Sequence, residues 1–155
     1  MGATKLKFSD FIQEENIILN LSGLNKLDII KELLNRMQKN GDVTDYDKAL
    51  NDILIRENHL STGLENGIAI PHAKTDGVEK LAVVFGIKKD GIDFESLDAK
   101  PANIFFLVLS PKNTSGPHIQ ALAMISRNLS VNTNRKKLIE AKSIKEIVEI
   151  FSSFN

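Results

Sequence analysis

The sequence contains no cysteine, so it can form no disulfide, no thiolate metal site and no cysteine nucleophile. This absence is consistent with a reducing compartment. The sequence also lacks a surplus of charge of one sign, because 20 Lys and Arg residues balance 20 Asp and Glu residues. Non-specific binding to nucleic acid depends on basic residues that face phosphates. We therefore expect no nucleic-acid partner.

Long apolar runs are missing as well. No segment approaches the ~18 or more apolar residues of a membrane-spanning helix, and the N-terminus lacks the charged and then apolar layout of a signal peptide. Gly2 is not expected to carry myristate, because Leu6 stands where that motif needs Ser or Thr. We therefore expect a cytoplasmic protein that does not itself span a membrane.

The length of 155 residues is typical of one domain. We therefore predict a single domain over residues 1–155, with its core at about 8–153. A chain of this size buries roughly 68–70% of its unfolded surface and needs no metal to fold.

Helical patterns occupy both ends of the chain. A short helical turn is predicted at Ser9, and Asn25 is predicted to cap a helix whose apolar residues recur at three- and four-residue spacing until Gly41. A second helix is predicted from about Asp45 to Glu57. Pro117 suits the first position of a helix that continues to Leu129. Two more helices are predicted at about Thr133–Ala141 and Ser143–Phe151.

Strand patterns lie between the helical segments. They are predicted at Ile17–Leu21, Ile68–Ile70, Leu81–Ile87, Ile92–Phe94 and Asn103–Ser110. The last is almost continuously apolar, as in a central strand covered on both faces. Asp90-Gly91 reads as a hairpin turn, which makes one strand pair antiparallel. The fold class predicted is α/β, a three-layer sandwich with a mixed β-sheet of about five strands flanked by helices.

His72 is the first candidate for chemistry. It follows Ile-Ala-Ile-Pro, so a short buried strand is predicted to present it at the rim of the sheet. Pro71 keeps Ile70 extended and ends that strand. An imidazole is a neutral nucleophile near pH 7, since its unperturbed pKa is about 6.5. These residues alone leave two interpretations open, a covalent carrier or an ordinary solvated loop histidine.

His118 and Arg56 are further candidates. His118 is predicted in the first turn of a helix, where free N–H groups and the dipole favour an anion and lower the pKa of a histidine. Arg56 lies near the end of the second helix, and its guanidinium suits two phosphoryl oxygens. Taken alone, the first could equally be a capping histidine and the second a solvated helix-end cation.

Other chemistries have little support. The three histidines are 13 and 46 residues apart and match no short zinc motif. The sequence has no Gly-x-Ser-x-Gly elbow of a hydrolase and no glycine-rich loop for a nucleotide.

The segment Leu64–Ala73 reads Leu-Glu-Asn-Gly-Ile-Ala-Ile-Pro-His-Ala. It resembles the active-site signature of EIIA domains of the fructose/mannitol type (type 2) in the sugar phosphotransferase system. Further segments that resemble this family are Arg56-Glu57, Gly91–Phe94, Phe105–Leu107, His118–Leu122 and Leu138–Ala141. The resemblance covers essentially the whole chain in order. The stretch Gly91–Leu97 and residues 73–75 look most like fructose-specific members.

This resemblance implies a phosphotransferase that works as a phosphohistidine carrier. His72 would accept a phosphoryl group from phospho-HPr and pass it to an EIIB domain, usually at a cysteine, during sugar uptake. His118 corresponds to the second active-site histidine, which stabilises the phosphoryl group, and Arg56 to the arginine that offsets its charge. Phosphoryl transfer depends on positioning and charge stabilisation, so neither a cofactor nor a metal is expected. The sugar, the oligomeric state and a possible origin in a longer EIIA-EIIB-EIIC fusion stay open.

One residue departs from the family pattern. Glu65 stands where the family generally has Gly or Ala, so a positive φ or a close backbone approach is in doubt there, and its carboxylate would repel a phosphohistidine unless it points into solvent. His59 matches no family role and is interpreted as a loop histidine. Two alternatives to a transport role stay open: a nitrogen-related regulatory EIIA, which shares the site but acts by binding proteins, and a binding module that no longer carries phosphate.

Overall fold

The computed structural model describes residues 7–155; residues 1–6, with Gly2 and Leu6 of the myristoylation argument, lie outside the described part. The helices in that part are α1 (Phe8–Phe11), α2 (Lys26–Lys39), α3 (Tyr46–His59), α4 (Gly116–Leu129), α5 (Asn132–Glu140) and α6 (Ile144–Ser152). The strands are β1 (Ile17–Ile18), β2 (Ile68–Ala69), β3 (His72–Lys74), β4 (Ala82–Ile92) and β5 (Ala102–Ser110). Within residues 7–155, no helix is both long enough and apolar enough to span a bilayer.

The five strands form one mixed sheet with β5 near its centre. β4 pairs with β5 in antiparallel and with β1 in parallel orientation, and the short strands β2 and β3 both pair in parallel with the other edge of β5. Ile68 lies opposite Ile104 and His72 lies opposite Val108. The predicted mixed sheet of five strands is confirmed, as is the central position of the apolar strand.

Alternating residues of β4 and β5 supply two separate cores. Val84 and Leu107 point to one face and pack with α2 and α3, whereas Val83 and Phe106 point to the other face and pack with α1, α4, α5 and α6. Because successive side chains of a strand point to opposite faces, a strand covered on both sides is apolar throughout. The three-layer α/β arrangement follows from this pattern.

The predicted hairpin turn at Asp90-Gly91 is wrong. Ile87 pairs with Ile104 and Ile92 pairs with Ala102, so β4 continues past Gly91 along the same partner, with an irregularity between the two pairs. Gly91 has φ +73°. A glycine in this conformation serves a bulge as well as a turn, and here it bends the strand without reversing it. The antiparallel pair is β4 with β5, joined through residues 93–101, and Ile92–Phe94 is no separate returning strand.

Two helices begin at the capping residues that the sequence predicts. Asn25 accepts a hydrogen bond from Asp28 N–H at 2.9 Å, and Ser143 accepts one from Glu146 N–H at 3.1 Å. The first helix begins at Phe8 rather than Ser9, and the first strand ends at Ile18 rather than Leu21. The one-residue difference at the helix is of the size expected for a helix end, whereas the strand is three residues shorter than predicted, although Leu21 N–H still donates to the carbonyl oxygen of Ile87 at 2.8 Å.

Candidate active site

His72 is the first residue of β3 and follows Pro71 directly. Its ring is half-buried, and its Nδ1 lies 2.7 Å from the carbonyl oxygen of Ile70. A carbonyl oxygen can only accept, so Nδ1 of a neutral ring must carry the proton. Nε2 is therefore left with a free lone pair, the form that a nucleophile requires.

His118 lies in the first turn of α4, behind Gly116 and Pro117. The proline therefore occupies the second helical position rather than the predicted first. The ring is buried, with 6% of the residue exposed, and its Nδ1 lies 2.7 Å from Oγ of Ser110. The ring centroids of His72 and His118 are 5.9 Å apart, with 55° between the planes. A group bonded to one ring is thus within reach of the other, although 46 residues separate them.

Both imidazoles are shifted toward the neutral form. Burial is the largest effect on His72 and lowers its pKa; the charge of Arg56 lowers it further, while the bond to Ile70 and the charge of Glu57 raise it in part. Burial also lowers the pKa of His118 to about 4, with further contributions from His72 and Lys74. At pH 7 both rings are therefore unprotonated on one nitrogen.

Arg56 lies in the last turn of α3, close enough for its charge to lower the pKa of His72. One of its five N–H groups donates to the carbonyl oxygen of Leu60 at 2.8 Å. This bond ties the guanidinium to the chain that leaves the helix. The structure thus brings the three predicted residues, His72, His118 and Arg56, to one region.

Lys74 is a second cation at the site, and the sequence patterns did not identify it. It lies two residues after His72 on β3, so the two side chains share a face of the strand. Its Nζ donates to Oγ of Ser115 at 2.9 Å, the residue before α4, and its charge lowers the pKa of His118. The two-residue spacing between His72 and Lys74 could have indicated this second cation, but only if His72 were already known to lie in a strand.

The buried carboxylate of Glu57 binds the loop that leads to His72. Glu57 accepts hydrogen bonds from the N–H and the hydroxyl of Thr62 at 2.7 and 2.6 Å, and Nζ of Lys26 lies 2.8 Å from it. Thr62 opens the loop that leads to His72. Glu57 therefore connects α2, α3 and that loop.

The departure at Glu65 is accommodated without strain. Glu65 is exposed, and its charge is not among those that shift the pKa of either site histidine. The positive φ angles of this loop fall on the next two residues, Asn66 (62°) and Gly67 (77°). Position 65 therefore has no requirement for glycine.

His59 does not join the site. It is the exposed last residue of α3, so the interpretation as a loop histidine is corrected: the helix runs two residues past its predicted end at Glu57. Over the part of the chain that the structure covers, no group of three or more His, Asp or Glu side chains is arranged to hold a metal ion.

Comparison with known proteins tests the family resemblance seen in the sequence. Residues 10–154 match the family model described as "Phosphoenolpyruvate-dependent sugar phosphotransferase system, EIIA 2". The chain is 41% identical over 123 residues to the fructose-specific EIIA component of Haloferax volcanii, covering 79% of this chain and 80% of that relative. It is 37% identical over 147 residues to the fructose-specific EIIABC component of Bacillus subtilis, covering 95% of this chain but only 23% of that much longer protein.

A regulatory relative and solved structures extend the comparison. The nitrogen regulatory protein of Bradyrhizobium diazoefficiens is 30% identical over 149 residues and covers 95% of both chains. Two crystal structures share the fold: IIA-Ntr of Neisseria meningitidis, with TM-score 0.80 at 23% identity over 92% of this chain and 97% of that one, and IIA mannitol of Escherichia coli, with TM-score 0.79 at 25% identity over 90% and 98%. The resemblance seen in the sequence is confirmed, and the chain belongs to the EIIA type-2 family of the phosphoenolpyruvate-dependent sugar phosphotransferase system.

Proposed function

We propose that this chain is a phosphocarrier in which Nε2 of His72 accepts a phosphoryl group from phospho-HPr and passes it to an EIIB domain. Membership of the EIIA type-2 family supports a general phosphotransferase role. The observation that carries the choice of residue is the bond from His72 Nδ1 to Ile70 O at 2.7 Å. It leaves Nε2 as the nucleophile at a half-buried position that a partner can reach.

The proposed step balances without proton transfer. The lone pair of His72 Nε2 attacks phosphorus, an N–P bond forms, and the N–P bond of the donor phosphohistidine breaks. Its electron pair returns to the donor nitrogen, which becomes neutral imidazole again. The proton on His72 Nδ1 stays where Ile70 holds it throughout. In the second transfer an EIIB nucleophile, a thiolate where that residue is a cysteine, attacks phosphorus, and the N–P bond of His72 breaks with its electron pair returning to Nε2. The carrier is therefore itself the covalent intermediate.

Positive charge and N–H groups around the two rings suit the incoming anion. Arg56 and Lys74 supply fixed cations, and the N-terminus of α4 contributes its free N–H groups and dipole. His118 is neutral, because burial holds its pKa near 4, and it serves as a hydrogen-bond donor to a phosphoryl oxygen. Such preorganised groups stabilise phosphoryl transfer through positioning and charge.

We propose that the carrier works in the cytoplasm and serves the uptake of a fructose-type sugar. The relatives at 41% and 37% identity are both fructose-specific components. The EIIB acceptor is proposed from the family; IIA mannitol of Escherichia coli, which has the same fold, was solved in a complex with phosphorylated enzyme IIB mannitol.

A regulatory role is the second candidate. The nitrogen regulatory protein of Bradyrhizobium diazoefficiens matches this chain along 95% of both lengths. In that case His72 would carry the phosphoryl group, but the output would be a change in protein binding.

Phosphorylation of the purified protein tests the site. With phosphoenolpyruvate, enzyme I and HPr, we expect an acid-labile, alkali-stable mass increase of one phosphoryl group. His72→Ala should abolish it, whereas His118→Ala should still take the label, though more slowly or with poorer onward transfer. His59→Ala is the matched control, because His59 is exposed and apart from the site. Equal labelling of His72→Ala and the unchanged protein would overturn the assignment, and no labelling of the unchanged protein would favour a binding module.

Onward transfer separates the two candidate functions. The labelled protein is mixed with EIIB domains and membranes that carry the sugar-specific component, and candidate sugars are supplied in turn. Appearance of sugar phosphate supports transport, and fructose is the expected substrate. Retention of the label in the presence of every EIIB would support regulation.

A further inference from the structure

Ser110 is a buried polar residue beside the site to which the sequence patterns gave no role. It is the last residue of β5 and is 0% exposed. Its carbonyl oxygen accepts a hydrogen bond from Thr75 N–H at 2.8 Å, and its Oγ lies 2.7 Å from Nδ1 of His118. The backbone therefore holds the hydroxyl against the imidazole.

The direction of this hydrogen bond decides the tautomer of His118. A neutral imidazole carries one N–H, so Nδ1 either donates to the Ser110 hydroxyl or accepts from it. If Nδ1 donated, the hydroxyl hydrogen would need another acceptor. Among residues 7–155, the contact with His118 is the only hydrogen bond of Ser110 Oγ. A buried donor without a partner is disfavoured roughly five- to 150-fold in population.

We propose that Ser110 is a positioning residue whose hydroxyl donates to Nδ1 of His118 and so keeps the proton of that ring on Nε2. This inference rests on the proposed function of the same site. Nε2–H is then the group that His118 offers to a phosphoryl oxygen carried by His72, whose ring centroid is 5.9 Å away. In the other tautomer, Nε2 would present a lone pair to the anion and repel it.

The tautomer can be read directly by NMR. The ¹⁵N shifts of an imidazole differ widely between protonated and unprotonated nitrogens, and the three histidines are assigned with single substitutions. At pH 7 in the unphosphorylated protein we expect Nδ1 of His118 to be unprotonated and Nε2 to be protonated. Protonated Nδ1 would overturn the proposal. This measurement needs no phosphoryl donor.

Kinetics tests whether the hydroxyl acts through His118. Ser110→Ala should slow phosphoryl uptake from phospho-HPr roughly two- to tenfold, which corresponds to the loss of one hydrogen bond. In a His118→Ala background the same change should have no further effect, because the two substitutions then remove one interaction. The matched control is Ser130→Ala, which removes a hydroxyl bonded to Arg127 O at 2.7 Å at the far end of α4.

Each outcome of this double-mutant cycle is informative. An unchanged rate for Ser110→Ala, or equal slowing in both backgrounds, would show that Ser110 does not act through His118, and would overturn the proposal. The proposed function fails in a different way, by absence of label on the unchanged protein. In that case NMR still decides which nitrogen of His118 carries the proton.

Discussion

Removal of the Glu57 carboxylate should destabilise the junction between α3 and the loop that leads to His72. Glu57 is 5% exposed. Its oxygens accept the N–H and the hydroxyl of Thr62 at 2.7 and 2.6 Å and lie 2.8 Å from Nζ of Lys26. Glu57→Ala therefore leaves a largely buried ammonium group and a buried N–H group without this partner at the same time.

The expected magnitude follows from what Lys26 retains. Breaking a buried ion pair by removing one member costs about 3–5 kcal/mol. The side chain of Lys26 is 18% exposed, it keeps Glu95 at 3.1 Å, and its Nζ lies 4.9 Å from the ring centroid of Phe94. Because Lys26 keeps these contacts, we expect the loss of unfolding free energy to lie near the lower end of that range, at about 3 kcal/mol. For a domain of this size the corresponding decrease in Tm is about 6–12 °C.

Urea unfolding and thermal melting measure this loss. The matched control is Glu95→Ala, which removes the exposed partner of the same lysine and should cost less than about 1 kcal/mol. Glu57→Gln keeps an acceptor for Thr62 without the charge, so its loss should fall between the two. A decrease below about 1 kcal/mol for Glu57→Ala, or an equal decrease for Glu95→Ala, would refute this account of the junction.

Three further outcomes are expected. The rate of phosphoryl uptake should be level near neutral pH and fall only at a pH below 6.5, because burial lowers the pKa of His72 and protonation removes the Nε2 lone pair; a midpoint above 6.5 in stopped-flow assays would contradict this. Between about pH 6.5 and the folded pKa of about 4, His118 is protonated in the unfolded chain but neutral in the folded protein. Its contribution to the free energy of unfolding should therefore be fully present above that window and decrease as the pH falls through it. His118→Asn should flatten that part of a pH series of urea titrations, and an unchanged slope would count against the shift. Gly67→Ala should reduce the free energy of unfolding by more than Gly41→Ala: both have positive φ, which costs roughly 1–2 kcal/mol, but a methyl at Gly67 would lie 2.5 Å from Asn103 Oδ1 and one at Gly41 would contact nothing. Equal losses in urea would disprove the crowding at Gly67.

Local patterns predicted the elements well where one physical cause dominates. Asn25 and Ser143 cap their helices because a short polar side chain satisfies a free N–H group wherever a helix begins. The strand β5 could be recognised because burial on both faces requires apolar residues throughout. The hairpin predicted at Asp90-Gly91 was wrong because this local pattern is compatible with two structures. A glycine at positive φ is common to turns and bulges, and the pairing of Ile92 with Ala102 decides between them.

The candidate site likewise contains residues that local patterns could predict and residues that they could not. The proline before His72 and the first-turn position of His118 are local features, so both residues could be proposed before any coordinates. Lys74 and Ser110 could not, since their roles depend on the register that places β3 beside β5 and on the packing of α4 against the sheet. Lys74 lies opposite Ser110 in that register.

The sequence by itself indicated the family and predicted most of the helices and strands, and it proposed two histidines and one arginine as the candidate site, because these inferences depend on residue types at fixed local spacing. Only the tertiary structure decided which nitrogen of His72 is free, that the two rings lie 5.9 Å apart, and that Glu65 lies in solvent. Burial and pKa are set largely by groups distant in the chain, and the bond between His72 and Ile70 joins residues only two apart but depends on the backbone conformation of the folded chain. Their effect exists only after the chain has folded.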